Sequence, residues 1–140
     1  MFRKILIPVD FTEKNEAALA AATQMLQGQD GGEAVLLHVV ETIEHLEFDE
    51  MSDFYRGLET RAAAKLSVMQ EKLVASGVQA RDEILFGKRA ESVIRHAEDN
   101  GMDLIVLSSH NVDRDHPALG GMGISYRIAI VARCPVLLVK

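Results

Sequence analysis

One cysteine, Cys134, stands in a chain of 140 residues. No disulfide can close within the chain, and so low a cysteine content fits a reducing compartment. Long apolar runs are also missing: none approaches the roughly 20 residues that span a bilayer. Behind Arg3 and Lys4 the apolar run is only Ile5 to Val9, too short for a secretory signal. A cytoplasmic protein with no membrane partner is expected. Positive charge is in deficit, with 15 Lys and Arg against 21 Asp and Glu, a net charge of −6. A nucleic-acid-binding face needs a basic surface, so no such partner is expected. Catalytic spacings are absent too. No Ser-His-Asp or Cys-His pattern stands out, and no carboxylate pair is placed for acid–base work. Gly87-Lys88 lacks the upstream glycine of a P-loop.

What is present is a regular alternation of strands and helices. The length suits one domain over residues 1–140, and 48% hydrophobic against 26% charged residues is ordinary for a globular chain. Lys4 to Val9 is a first strand, with Pro8 at its end because proline weakens a ladder. Thr12 is the expected N-cap of a helix through Gln27 that turns Ala17, Leu19, Ala20, Ala21 and Met25 inward. Ala34 to Val40 is a second strand, and Glu41 to Glu50 is acidic and irregular. A long helix over Ser52–Ser76 carries Phe54, Leu58, Ala62, Leu66, Met69 and Leu73 at helical spacing and ends at Gly77. Val78 to Phe86 begins with alternation, which suits a sheet edge. A helix over Arg89–Asn100 packs Ala90, Val93, Ile94 and Ala97.

The last forty residues organise the rest. Leu104-Ile105-Val106-Leu107 is a strand apolar on both faces, as in a parallel sheet covered by helices. A polar stretch from Ser109 to Pro117 leads into Gly120-Gly121-Met122-Gly123. Ile124 to Arg133 has helical spacing, Cys134-Pro135 breaks it, and Val136 to Val139 is a last strand. A glycine-rich loop between a buried strand and a helix N-terminus can hold a phosphate through backbone N–H groups and the helix dipole. The alternation βαβαβαβαβ makes an α/β fold, a three-layer α/β/α sandwich around a five-stranded parallel sheet. In such a sheet ligands bind beyond the carboxyl ends of the strands where the order reverses. The loops concerned follow the first and fourth strands.

Four segments together resemble the universal stress protein family over the whole chain: KILIPVDFTE, LLHVV, the block AESVIRHAEDNGMDLIVL and the ending CPVLLVK. The resemblance implies a Rossmann-like sheet of order 3-2-1-4-5, of the adenine nucleotide alpha hydrolase-like type. It implies a cytosolic homodimer and a role in stress tolerance. In one branch it implies a site for ATP or AMP, with Mg²⁺ accompanying ATP. That branch is similar in a motif of Gly, two residues, Gly, nine residues, Gly, then Ser or Thr. Here Ser108 and Asn111 stand at the first two glycines, and Gly121 at the third is followed by Met122. Counted back from Pro135, the pair falls on Met122-Gly123, so the loop carries one residue more, with Ser125 the next hydroxyl.

Carried onto this sequence, the nucleotide site would comprise Pro8, Val9 and Asp10, Val39, Leu107 and Ser108, then His110, Asn111, Gly121, Gly123 and Ser125. Asp10 would bond a ribose hydroxyl or the adenine edge, or else cap the first helix. Val9 and Val39 would bracket the base, or are plain core. Gly120, Gly121 and Gly123 would cradle phosphates, or only turn the chain; Ser108 and Ser109 would donate to the anion, or satisfy strand-end backbone groups. His38 reads as a core histidine with a backbone partner. His110, Asp113, Asp115 and His116 match no zinc signature, and no metal site is assigned. The function expected is adenine-nucleotide binding with little or no hydrolysis. A nucleotide-free dimeric interaction protein of the same fold is the alternative, and a Mg²⁺-dependent hydrolase using the His110-to-His116 loop is a third reading. The dimer is expected through the exposed edge of Val136 to Val139.

Overall fold

The structure, a computed structural model, describes residues 1–43, 48–109 and 123–140. Strands β1 (Lys4–Pro8), β2 (Glu33–Glu41), β3 (Gln79–Gly87), β4 (Leu104–Ser108) and β5 (Val136–Val139) form one parallel sheet. Their order is β3-β2-β1-β4-β5, as expected. Helices α1 (Asn15–Leu26) and α2 (Ser52–Ala75) cover one face, and α3 (Arg89–Asp99) and α4 (Ile124–Val131) cover the other.

The central strands explain their own composition. Ile5 and Ile7 of β1 point to the α1/α2 face, whereas Leu6 points to the α3/α4 face, and all three are fully buried. Leu36 and Leu37 of β2 divide in the same way. A strand covered on both sides needs apolar residues at every position. Each such side chain contributes about 1.5–3 kcal/mol by leaving water.

The helix faces agree with the expected ones in part: Leu19 and Met25 of α1 and Leu66, Met69 and Leu73 of α2 pack on the core, but other positions differ. In α1 the buried stripe is Asn15, Ala18, Ala22 and Leu26, while Ala17 and Ala20 are exposed. The many alanines left the face ambiguous by composition, and Leu26 decides it by packing on the sheet. In α2 Tyr55 is buried and Phe54 exposed. The Tyr55 ring meets Phe86 edge-on, and its hydroxyl accepts the Ile43 N–H at 2.8 Å. In α3 the buried set gains His96, whose Nε2 lies 2.5 Å from Glu83 Oε2 on β3.

Boundaries shift for local reasons. Thr12 does not cap α1. Instead its N–H and hydroxyl both donate to Asp10 Oδ1, at 3.0 and 2.7 Å, and the helix starts three residues later. β2 runs one residue further, with Glu41 pairing Gly87, and Phe48–Met51 forms a 3₁₀ turn within the stretch expected to be irregular. α4 stops at Val131 because the chain must be extended to approach Pro135, and Ala132 already is, at φ −61° and ψ 142°. Gly77 ends α2 with φ +84°, as a left-handed cap residue does.

Candidate functional site

A cavity of about 290 Å³ opens at the carboxyl ends of β1 and β4, where the strand order reverses. Its floor is apolar: Val9, Leu37, Val39, Val93, Leu107 and Ile128. Val9, Val39 and Leu107 are buried, at 5%, 3% and 4% exposure. Its rim is polar, with Asp10, Thr12, Asn15, Arg89, Ser108, Gly123 and Ser125. Of the eleven residues expected at a site, eight line this cavity: Pro8, Val9, Asp10, Val39, Leu107, Ser108, Gly123 and Ser125. His110, Asn111 and Gly121 lie outside the described residues, as does the loop from His110 to His116 considered for metal or Mg²⁺.

Asn15 joins the two loops and went unnoticed in the sequence. Its Oδ1 accepts the N–H groups of Asp10 and Phe11, at 3.0 and 2.9 Å. Its Nδ2 donates to Ser108 Oγ at 3.1 Å. Ser108 Oγ in turn donates to the Lys14 carbonyl at 3.1 Å, so its one proton is used within the protein. An asparagine in line with Ala18, Ala22 and Leu26 is the signal that could have found it, since a polar side chain on a buried stripe must be satisfied. Phe11, held by Asn15, takes φ 65°, a left-handed conformation that a phenylalanine adopts only under constraint.

Across the cavity, the Ser125 hydroxyl donates to the Ser108 carbonyl at 3.1 Å and fastens the start of α4 to the end of β4. Gly123 precedes α4 with φ −63°, a conformation open to any residue, and a Cβ there would meet no protein atom within 4 Å. Among the described residues, nothing requires glycine at that point. The first N–H groups of α4 have no partner inside the helix and face the anion-favouring end of its dipole.

Asp10 carries both of its sequence readings at once, since it lines the cavity and also binds the turn at Thr12. Burial alone would push its carboxyl up. The Thr12 hydroxyl and N–H, the Arg89 charge and its own N–H outweigh that and hold it below its usual range. His38 has its backbone partner, with Nδ1 2.9 Å from the Val9 carbonyl oxygen. A carbonyl only accepts, so Nδ1 carries the proton. Burial, with Arg89 and Lys65 nearby, holds the imidazole below its usual range despite the Val9 carbonyl and Asp10. Burial pushes the Cys134 thiol up, the setting of an unreactive cysteine. No helix among the described residues is long and apolar enough to cross a membrane, and these residues hold no cluster of metal-ligating side chains.

A polar-rimmed, apolar-floored cleft next to a helix N-terminus suits a small molecule with a flat apolar body and an anionic end. Comparison with known proteins agrees with the fold and extends over the whole chain. The universal stress protein YxiE of Bacillus subtilis is 30% identical over 155 residues, covering all of both chains. The universal stress protein MJ0577 of Methanocaldococcus jannaschii is 29% identical over 159 residues, covering all of this chain and 96% of that one. The solved structure of MJ0577 superposes with a TM-score of 0.84 over the same shares. Two further structures share the fold at lower identity. A universal stress protein of Archaeoglobus fulgidus was solved in complex with dAMP, at 15% identity and TM-score 0.71, covering 99% of this chain and 98% of that one. Another universal stress protein was solved with cAMP, at 13% identity and TM-score 0.73, covering 99% and 97%. Residues 1–140 match the universal stress protein family, and the chain belongs to it.

Proposed function

We propose that the chain binds an adenine nucleotide, AMP or ATP, in the cleft between β1 and β4 and turns it over slowly or not at all. The observation that carries this reading is the cleft itself: an apolar slot between Val9 and Val39, a carboxylate at its edge, and the N-terminus of α4 opposite. Adenine is the part common to the ligands of the two neighbours solved with dAMP and cAMP. In this arrangement Val9 and Val39 hold the base, and the Asp10 carboxylate accepts from ribose hydroxyls. Gly123 and Ser125 meet the phosphates, with Mg²⁺ accompanying ATP. Slow turnover follows from the proton inventory. Asp10 is a weak base because its carboxyl is held low, and the Ser108 and Ser125 hydroxyls already donate to backbone carbonyls.

Thermal unfolding with AMP and with ATP tests the reading. At a hundredfold excess over Kd, a ligand of the folded state adds about 2.7 kcal/mol of stability. Val39→Glu, which puts charge on the floor, should abolish the shift. No shift of the wild type at millimolar nucleotide sinks the proposal.

A second reading, a nucleotide-free dimer acting through protein contacts, is favoured by Ser108. Its hydroxyl stands where the nucleotide-binding motif has glycine and is spent on Asn15 and Lys14. Purified protein that releases no ultraviolet-absorbing base on denaturation would support it. Either way we place the chain in the cytoplasm as a homodimer through β5. That strand is a sheet edge with β4 as its one neighbour, and Tyr126, Ile130 and Val131 of α4 are exposed near it.

A further inference from the structure

We propose that a second cleft, on the α2 side of the β2 tip, is a binding site for a phosphate group, distinct from the cleft between β1 and β4 although Val39 and Arg89 border both. The cleft has a volume of about 210 Å³, enough for a phosphate ester with a small organic body. Three cations line it: Arg61 and Lys65 of α2, and Arg89 from the first turn of α3. Arg61 and Lys65 are four residues apart on a helix, so their side chains share one face. Neither has a carboxylate partner among the described residues. The carboxylate in the lining, Glu41, lies 3.7 Å from Arg89 and leaves the other two charges uncompensated.

In a chain of net charge −6, three cations converging on one hollow need a reason. Surface lysine and arginine in an acidic protein more often pair with carboxylates. Here Lys65 instead lies over the Phe11 ring, with Nζ 5.2 Å from its centroid. Phe11 also stacks on His38, centroids 4.4 Å apart, and so the aromatic pair forms a rigid wall beside the cations. Phe11 in that wall has φ 65°, a strained backbone state of the kind that clusters at active sites, ligand clamps and switch regions. The Asn15 hydrogen bonds hold it there. His38 lies between these charges: burial chiefly holds its imidazole below the usual range, with Arg89 and Lys65 adding to that and the Val9 carbonyl and Asp10 opposing it. Planar guanidinium groups and a lysine ammonium together match a phosphate dianion. Leu58 and Ala62 give its organic body an apolar floor.

The test is a titration at low ionic strength with inorganic phosphate and, separately, glycerol phosphate, read from backbone amide shifts. Saturable shifts are expected at Phe11, His38 and Ala62. Tighter binding of glycerol phosphate identifies an ester as ligand; equal binding identifies the free anion. Arg61→Ala with Lys65→Ala should weaken binding by about tenfold or more for each cation lost, the loss expected for a charge-assisted hydrogen bond. Both side chains are exposed, so the variant should fold, which circular dichroism checks. The charge-conserving exchange Arg61→Lys with Lys65→Arg should retain binding. The AMP-induced thermal shift should be the same in all three proteins, because neither residue touches the first cleft. Amides at Phe11 and Ala62 that stay still, or an unchanged affinity in the folded double-alanine variant, would overturn the proposal. Wild-type protein that shows these phosphate shifts but no AMP-induced thermal shift would refute the nucleotide reading and support this site.

Discussion

Replacing Asn15 with alanine removes three hydrogen bonds at once, and the loss can be worked through atom by atom. The N–H groups of Asp10 and Phe11 lose their acceptor, and Ser108 Oγ loses a donor. A buried donor left without a partner costs about 1–3 kcal/mol. These groups are partly buried, so water reaches some of them and the lower figure applies: about 1 kcal/mol for each N–H. The Ser108 hydroxyl keeps its bond to the Lys14 carbonyl and adds less. Phe11 also loses the contact that holds it left-handed, and its relaxation recovers part of the strain. The net expectation is a loss of roughly 2 kcal/mol. For a chain of this size that lowers Tm by on the order of 5–8 °C. Urea unfolding should show the loss as a shifted midpoint with an unchanged slope. Amide shifts should change at Asp10, Phe11 and Ser108 together, on two loops far apart in sequence. A stability loss below about half a kilocalorie per mole, within the range of ordinary surface substitutions, would refute the reasoning. So would a change confined to one loop.

Three more outcomes are expected. The Asp10 carboxyl should titrate below its ordinary 3.8, and Thr12→Val should raise its midpoint, as followed by carboxyl-carbon NMR. A depressed carboxylate stabilises the fold above its unfolded pKa and loses that stability as pH falls through the folded value; the group is only partly buried and its bonds to Thr12 are open to water, so the effect on unfolding should be under ~1 kcal/mol. Gly123→Ala should leave Tm within about 1 °C, or raise it slightly, because the backbone there suits alanine and the space is open, while nucleotide affinity falls by roughly tenfold; equal affinity would remove Gly123 from the site. Leu138→Lys should abolish the proposed homodimer through β5, leaving monomer in sedimentation. Leu137 is the wrong place for that charge, since it packs against the inner core, whereas Leu138 is 37% exposed on the edge strand.

The strands were the most legible part of the sequence. A run such as Leu104 to Leu107 has one physical meaning in an α/β chain, and β4 begins and ends within a residue of where that run does. Helix extents were nearly as clear, but their faces were not. Ala17 and Ala18 are the same residue type, and only packing against β1 and β4 distinguishes the exposed one from the buried one. The candidate cleft was legible where it follows from topology, because the tips of β1, β2 and β4 meet at the reversal point. It was not legible where a side chain reaches across the fold. Arg89, seen in the sequence only as a helix start, borders both clefts, and Asn15 binds a serine 93 positions away. Thr12 looked like a cap because threonine before a helix usually is one. The adjacent Asp10 captured its hydroxyl and N–H first.

The join between β1 and β4 has a mechanical meaning. β2 pairs with β3 over nine residues, from Glu33 with Gln79 to Glu41 with Gly87. β1 and β4 pair only through Ile5 with Leu104 and Leu6 with Ile105. The seam is closed at its two ends by side chains. Asp103 accepts the N–H groups of Arg3 and Lys4, at 3.1 and 2.9 Å, and Asn15 meets Ser108 at the other end. The sheet is thus two plates, β3-β2-β1 and β4-β5, hinged on a short ladder with a clasp above and below. A ligand filling the cleft would touch Val39 on one plate and Leu107 on the other, and would act as a third clasp. Its binding energy would be added to the work of parting the plates, so occupancy would slow hydrogen exchange along β4 and β5 as well as at the cleft.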